Sequence, residues 1–129
     1  MVPEPADSMA YAAVADLPIV RAFVTARAVS LGLPPARADL LQLAVSELAT
    51  NTLLYTVGGG RVRVWVEAGQ LMCEVVDRGP APRFGRAMPP PDAERGRGLP
   101  IVERVCDEVS TATAADGTTI RLRFNLEAA

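Results

Sequence analysis

A long apolar helix is the strongest constraint on what this chain can fold into, and both of its ends are marked in the sequence. Pro34 and Pro35 suit the first turn of a helix, where the missing amide proton of proline is not needed. Helical spacing of apolar residues continues to about Thr56, and Gly58-Gly59-Gly60 then ends it. We therefore predict one helix over residues 35–56, around which the rest of the chain is organised.

Two polar residues interrupt the apolar pattern of this helix. Residues at spacings of three and four are predicted to share one face, and they are Leu40, Leu43, Ala44, Glu47, Asn51 and Leu54. Glu47 and Asn51 are four residues apart, so their side chains point the same way and could converge on one ligand. Polar groups in an apolar lane are costly without a partner. The alternative is a helix edge at which both side chains reach water.

The types of charged residue exclude several mechanisms. Arginine is the only basic residue, because the chain contains neither lysine nor histidine. This excludes a P-loop, a Schiff-base lysine and a Ser-His-Asp mechanism, so carboxylates must carry any proton transfer. A net charge of -2 argues against a general nucleic-acid-binding protein, which needs a basic face.

A chain of 129 residues is long enough for one domain with one core. We expect residues 1–8 to be a flexible N-terminus without the features of a secretion signal, and residues 9–129 to form a single domain. No apolar run reaches the roughly 20 residues that cross a bilayer, so we expect a cytoplasmic protein without a membrane contact. Cys73 and Cys106 are interpreted as small buried hydrophobic residues in a reducing compartment, the alternative being a disulfide.

The pattern predicts an α/β fold, a two-layer α/β sandwich with a mixed, mostly antiparallel sheet and helices on one face. A first helix begins at Asp16, its predicted N-cap, with Pro18 in the first turn, and ends at Gly32. The predicted strands are Met9–Val14, a hairpin of residues 61–67 and 71–77 around Ala68-Gly69, and a closing hairpin of about 107–112 and 118–126.

Asp77 and a glycine-rich turn are further candidates for a site. On the return strand Asp77 shares a face with Leu71, Cys73 and Val75, so it would point into the core side at the end of the strand. The alternative is that Asp77-Arg78-Gly79-Pro80 is only a turn that uses Asp for local hydrogen bonds. Residues 81–95 have the length and proline content of a functional loop, typically a lid. Gly96-Arg97-Gly98 then enters a helix, and backbone amides at a helix start suit phosphate.

Four motifs in order, Glu47 with Asn51, Asp77 with Gly79, Gly96-x-Gly98 and Gly117-Thr118, resemble the Bergerat ATP-binding (GHKL) superfamily. The resemblance covers about residues 17–124 and is greatest to the stand-alone anti-sigma-factor serine/threonine-protein kinases, whose domain is histidine-kinase-like. It implies that ATP and Mg²⁺ are bound. It also implies a small anti-anti-sigma (STAS-type) protein and a sigma factor as partners, without direct nucleic-acid contact, and a homodimer.

The resemblance also implies roles for particular residues. Asn51 would ligate magnesium, and Glu47 would be the general base. Asp77 would accept a hydrogen bond from the adenine amino group, with Gly79 and Thr118 beside the base. Phosphates would be held by the lid end and the following turn, namely Arg95, Gly96, Arg97, Gly98 and Leu99.

The chain departs from the superfamily pattern in two places. Tyr55 stands four residues after Asn51, where the superfamily often has histidine, and the lid contains Pro89-Pro90-Pro91 where other members have more glycine. These departures favour an alternative function, a non-catalytic ATP-binding regulatory module that acts by partner capture. A third hypothesis, an interaction domain that binds no nucleotide, also stays open.

Overall fold

The computed structural model describes residues 7–56, 58–79, 98–115 and 117–126, and at Tyr55, Gly98 and Leu99 it describes the backbone alone. The chain forms an α/β fold with a five-stranded sheet. Its order of elements is β1 (Asp7–Tyr11), a 3-10 turn (Val14–Asp16), α1 (Leu17–Ser30), α2 (Pro35–Tyr55), β2 (Gly60–Glu67), β3 (Gln70–Asp77), α3 (Gly98–Val105), β4 (Glu108–Ala114) and β5 (Gly117–Asn125).

The strands lie in the order β1-β2-β3-β5-β4, and each neighbouring pair of described strands is antiparallel. The predicted fold class is confirmed, although the described strands contain no parallel pair of the kind that a mixed sheet would have. Strand β1 begins at Asp7, inside the segment expected to be flexible, while residues 1–6 lie outside the described part. No helix in the described segments combines the length and apolar character needed to span a bilayer.

The core lies between the helices and one face of the sheet. Alternate residues of the central strands supply the sheet side, and they are Val62, Val64, Leu71, Cys73, Val75, Ile120, Leu122 and Phe124. The helix side includes Val20 and Val24 of α1, Leu41 and Leu48 of α2, and Val102 of α3. All three described helices therefore pack on the same face of the sheet, as predicted.

The prediction of which face of α2 is buried was wrong. Leu40 and Leu43 are each 40% exposed and Leu54 is 58% exposed, whereas Leu41, Val45, Leu48 and Thr52 face the sheet. Glu47 and Asn51 therefore border the outward face of the helix and do not lie in its buried lane. Because α2 carries apolar residues nearly all the way round, spacing alone did not identify the lane that the sheet covers.

Asp16 precedes α1, but its side chain caps the preceding turn. Its Oδ2 accepts hydrogen bonds from the amides of Ala12 at 2.8 Å and Ala13 at 3.0 Å, and no side-chain capping bond to α1 is formed. These two amides lower the pKa of the Asp16 carboxyl. The predicted start of the helix is confirmed, with Pro18 in its first turn, but the predicted capping contact is not.

Both cysteines are free thiols, as the sequence favoured. Cys73 is fully buried beneath the helices, and burial raises the pKa of its thiol. Cys106 follows α3 and is partly buried, and desolvation raises its pKa to about 12. Both side chains are therefore neutral near pH 7 and behave as small apolar groups.

The face of the sheet away from the helices carries a cluster of charged and aromatic side chains. Glu74 is only 4% exposed and lies between Arg63 at 2.8 Å and Arg121 at 2.6 Å. The guanidinium of Arg121 also lies over the ring of Trp65, 5.7 Å from the ring centroid, which is close enough for a cation–π contact. The two arginines cover the buried carboxylate, so its charge is paired on both sides.

Candidate functional site

Asp77 ends β3 on the core face, where the sequence placed it, and both of its carboxylate oxygens are held. Oδ2 accepts a hydrogen bond from the hydroxyl of Thr52 on α2 at 2.8 Å. Oδ1 accepts the backbone amide of Gly79 at 2.7 Å, which is the local bond expected of an Asp turn. The two sequence interpretations of Asp77 are thus compatible, since one oxygen serves the turn and the other faces the helix.

Thr52 and Tyr11 are site residues that sequence reasoning missed. The hydroxyl of Tyr11 donates to Thr52 Oγ1 at 3.0 Å, and Thr52 in turn contacts Asp77. Both residues are 2% exposed. Thr52 follows Leu41, Val45 and Leu48 in the buried lane, so a hydroxyl inside that lane was the available signal.

Gly79 and Thr118 lie beside Asp77. Thr118 is paired with Asp77 across the β3–β5 ladder, and its hydroxyl donates to the carbonyl oxygen of Gly79 at 2.7 Å. A Cβ at Gly79 would overlap the Thr56 hydroxyl oxygen, so glycine lets the backbone pass close to the end of α2 without displacing the Thr56 side chain. The structure therefore brings Asp77, Gly79 and Thr118 together at one end of the sheet.

Glu47 and Asn51 lie one turn apart on α2, and both are partly buried. Asn51 directly precedes Thr52, which places it at the end of the helix that contacts Asp77. In the parts of the chain that the structure describes, neither side chain forms a hydrogen bond or ion pair. Their oxygen atoms are therefore available to a ligand.

The oxygen atoms available as metal ligands suit a magnesium ion that is held mainly by a nucleotide. The described residues contain no group of three or more acidic, histidine or cysteine side chains that could hold a metal alone. Magnesium keeps several waters and takes few protein ligands, so one carboxamide oxygen at Asn51, together with phosphate oxygens, fits its chemistry.

Gly98 begins α3 next to the predicted glycine-rich turn, and Pro100 lies in the first turn of this helix. Val102 packs α3 into the core. Arg95, Gly96, Arg97 and the proposed lid 81–95 lie outside the described residues, as do the contacts of the Leu99 side chain. The described residues thus bring Asp77, Gly79 and Thr118 together. Of the predicted phosphate-binding residues, they include only the backbone of Gly98 and Leu99.

A concavity of about 200 Å³ lies at the same end of the sheet. Its lining includes Asp77 and Thr118, but also Val76, Ala112 and Thr119, which alternate to the face away from the helices. Neither Glu47 nor Asn51 lines it. We therefore do not assign this concavity to the site between α2 and the sheet.

A helix layer on an antiparallel sheet, with a carboxylate at the end of a central strand facing an Asn-bearing helix, is typical of the Bergerat class. The chain belongs to the histidine kinase-like ATPase domain family, whose model matches residues 10–124. This membership confirms the predicted superfamily. No curated protein sequence matches it significantly.

Solved structures with the same fold include a crystal structure of the RsbU and RsbW domains of Rv1364c from Mycobacterium tuberculosis. It is 21% identical with a TM-score of 0.70, and the match covers 95% of this chain and 33% of that one. The blue-light activated histidine kinase EL346 of Erythrobacter litoralis is 26% identical with a TM-score of 0.56, over 73% of this chain and 32% of that one. The histidine kinase domain of the Escherichia coli osmosensor EnvZ is 18% identical with a TM-score of 0.53, over 98% and 92%. The chain thus spans about a third of the first two proteins.

Proposed function

We propose that this chain is a cytoplasmic anti-sigma-factor-type serine/threonine-protein kinase that uses Mg-ATP. It would phosphorylate a small STAS-type anti-anti-sigma protein and sequester a sigma factor while that partner is phosphorylated. The observation that carries the proposal is the fixed carboxylate of Asp77, opposite a helix on which Glu47 and Asn51 form no side-chain hydrogen bond or ion pair with any described residue. The similarity to a structure that includes an RsbW domain supports the anti-sigma type.

Asp77 recognises adenine in this proposal. An ionised carboxylate only accepts hydrogen bonds, so it selects a base with an amino group at its edge and repels a carbonyl oxygen there. Gly79 and Thr118 would flank the base. Arg95, Gly96, Arg97, Gly98 and Leu99 would hold the phosphates with backbone amides and positive charge.

Glu47 would act as general base in phosphoryl transfer. Its carboxylate accepts the proton of the partner's serine or threonine hydroxyl as that oxygen bonds to the γ-phosphorus and the bond to the ADP oxygen breaks. Asn51 would hold magnesium, which would supply charge neutralisation for the phosphates. Glu47 alone distinguishes the kinase from a module that binds ATP without turnover.

The proposal is tested with Glu47→Gln and a matched control, Glu67→Gln, which removes an exposed carboxylate from the hairpin end of β2. Labelled ATP and a STAS-type anti-anti-sigma protein are incubated with each protein, and calorimetry measures ATP binding. We expect Glu47→Gln to keep ATP affinity within about twofold and to lose at least about a hundredfold in transfer rate, because general-base catalysis contributes on that scale. Glu67→Gln should transfer phosphate normally.

Two results would contradict the kinase. ATP binding by the wild type without transfer to the partner would favour the non-catalytic module, which Tyr55 and the proline-rich lid support. Failure to bind ATP would favour an interaction domain that takes no nucleotide. The implied homodimer is tested separately by sedimentation at micromolar concentration, where a monomer would contradict it.

A further inference from the structure

Tyr11, Thr52 and Asp77 form a hydrogen-bonded series that runs from the edge strand β1 through α2 to the end of β3. We propose that Thr52 and Tyr11 are positioning residues that set how strongly Asp77 discriminates in favour of a purine carrying a 6-amino group. The proposal rests on the proposed function, because it deepens the adenine role assigned there to Asp77.

The direction of the hydrogen bonds follows from the number of protons. Thr52 has one hydroxyl proton and two acceptors in range, Asp77 Oδ2 at 2.8 Å and the carbonyl oxygen of Leu48 at 3.2 Å. The carboxylate is closer and charged, so it is the stronger acceptor. With that proton given to Asp77, the contact between Tyr11 and Thr52 requires Tyr11 to donate.

The contact with Tyr11 favours the hydrogen bond from Thr52 to Asp77 over the one from Thr52 to the backbone carbonyl of Leu48. A threonine inside a helix commonly bonds back to the carbonyl four residues earlier, which here is Leu48. The donated proton of Tyr11 polarises the Thr52 hydroxyl and strengthens its bond to Asp77. Burial raises the pKa of Tyr11 to about 12, so the phenol keeps the proton it donates.

The surrounding packing fixes the phenol in place. Tyr11 is 2% exposed, and a Cβ at Gly60 would lie 2.6 Å from its hydroxyl oxygen. The ring therefore has little freedom to withdraw from Thr52. A carboxylate held on both oxygens keeps one orientation, and a base amino group meets a preorganised acceptor.

The test compares ATP with purine riboside triphosphate, which lacks the 6-amino group, by calorimetry in the presence of Mg²⁺. The readout is the ratio of the two Kd values, because a merely structural role would weaken both nucleotides equally and leave this ratio unchanged. Thr52→Val removes the donor, Thr52→Ser restores it, and Tyr11→Phe removes only the outer member of the series. Thr25→Val is the matched control, since Thr25 Oγ1 is buried on α1 and has no hydrogen-bond partner among the described residues.

We expect wild type to prefer ATP by about tenfold or more, in keeping with one hydrogen bond to a charged group. Thr52→Val should reduce this preference to about threefold or less, and Tyr11→Phe should give an intermediate value. Thr52→Ser and Thr25→Val should match wild type. If Thr52→Val fails to fold, Tyr11→Phe and Thr52→Ser carry the comparison.

A ratio that Thr52→Val and Tyr11→Phe leave at the wild-type value would overturn this inference while the proposed function stands. A ratio lowered equally by Thr25→Val would also overturn it. A wild type that binds neither nucleotide would overturn the proposed function, and this inference with it.

Discussion

Asn51 is the side chain on which metal-dependent nucleotide binding rests in this proposal. It lies next to Thr52 in sequence, and among the described residues its carboxamide makes no hydrogen bond. A buried amide without a partner is unfavourable, but Asn51 is only partly buried, so water can solvate its carboxamide until a ligand binds. Its loss should therefore affect binding more than folding.

We expect Asn51→Ala to remove most of the gain in ATP affinity that Mg²⁺ provides, about tenfold, because the protein ligand to the ion is lost. Calorimetry with Mg-ATP and with ATP in EDTA measures the gain. Asn125→Ala is the control, since Asn125 bonds to Gln70 at the other end of the sheet. An undiminished magnesium effect in Asn51→Ala would exclude the ligand role.

The individual site residues differ in how far the sequence revealed them. Asp77 could be placed on the core face because strand alternation is local, and the ladder pairs it with Thr118. Tyr11 and Thr52 are 41 residues apart, and their contact depends on how β1 and α2 dock on the same sheet. No local pattern carries that information, so this part of the site needed the structure.

At the level of elements, the hairpins were the most predictable part. The turn of the β2–β3 hairpin has Ala68 at φ 51° and Gly69 at φ 77°, which is the conformation of a two-residue primed turn. Its register pairs Glu67 with Gln70, as the alternation of both strands requires. Helix α2 was predictable in extent but not in rotation, because a helix that is apolar nearly all round has no single buried stripe.

The turn itself gives a stability prediction. Alanine is unfavourable at positive φ, whereas Asn-Gly is the preferred pair for this turn, so Ala68→Asn should stabilise by about 0.5–1 kcal/mol. Gly69→Ala should destabilise by about 1 kcal/mol, although a Cβ there meets nothing within 4 Å, because the cost is purely conformational. Urea denaturation of both variants checks the opposite signs. Equal shifts would contradict the turn assignment.

At the level of the whole molecule, Arg37 joins three distant segments. From the start of α2 it donates to the carboxylate of Asp107 at 2.6 Å and to the backbone carbonyl of Asn125 at 2.8 Å. The backbone N–H of Asn125 also donates to the Asp107 carboxylate at 2.7 Å. The connection after α3 and the end of β5 are thus fastened to the helix layer, at the end of α2 opposite to Thr52.

The Asp107 contact predicts a pH dependence. The hydrogen bond from Arg37 and the amide of Asn125 lower the pKa of the Asp107 carboxyl below its ordinary 3.8. Because the folded pKa is lowered, the stabilisation is present above pH 4 and is lost as pH falls through the folded pKa. Asp107→Asn should cost about 1 kcal/mol at pH 7, reduced by salt, since the side chain is 35% exposed.

Urea denaturation at pH 7 and near pH 2 to 3 measures this difference, which should shrink in acid as wild type also becomes protonated. Asp39→Asn, on the exposed face of α2, is the control, and the stability of this variant should differ little from wild type at either pH. A cost that is equal at both pH values would show that the Asp107 carboxylate charge has no part in the contact.

Trp65 is the chain's single tryptophan, and it lies on the far side of the sheet from the proposed nucleotide site. Its ring is 9% exposed and covered by Arg121. Its fluorescence should therefore shift strongly when the sheet unfolds and change little when a nucleotide binds beneath the helices. The protein thus contains an optical probe for its own folding that is nearly silent to its ligand, so that stability and binding can be followed independently in one sample.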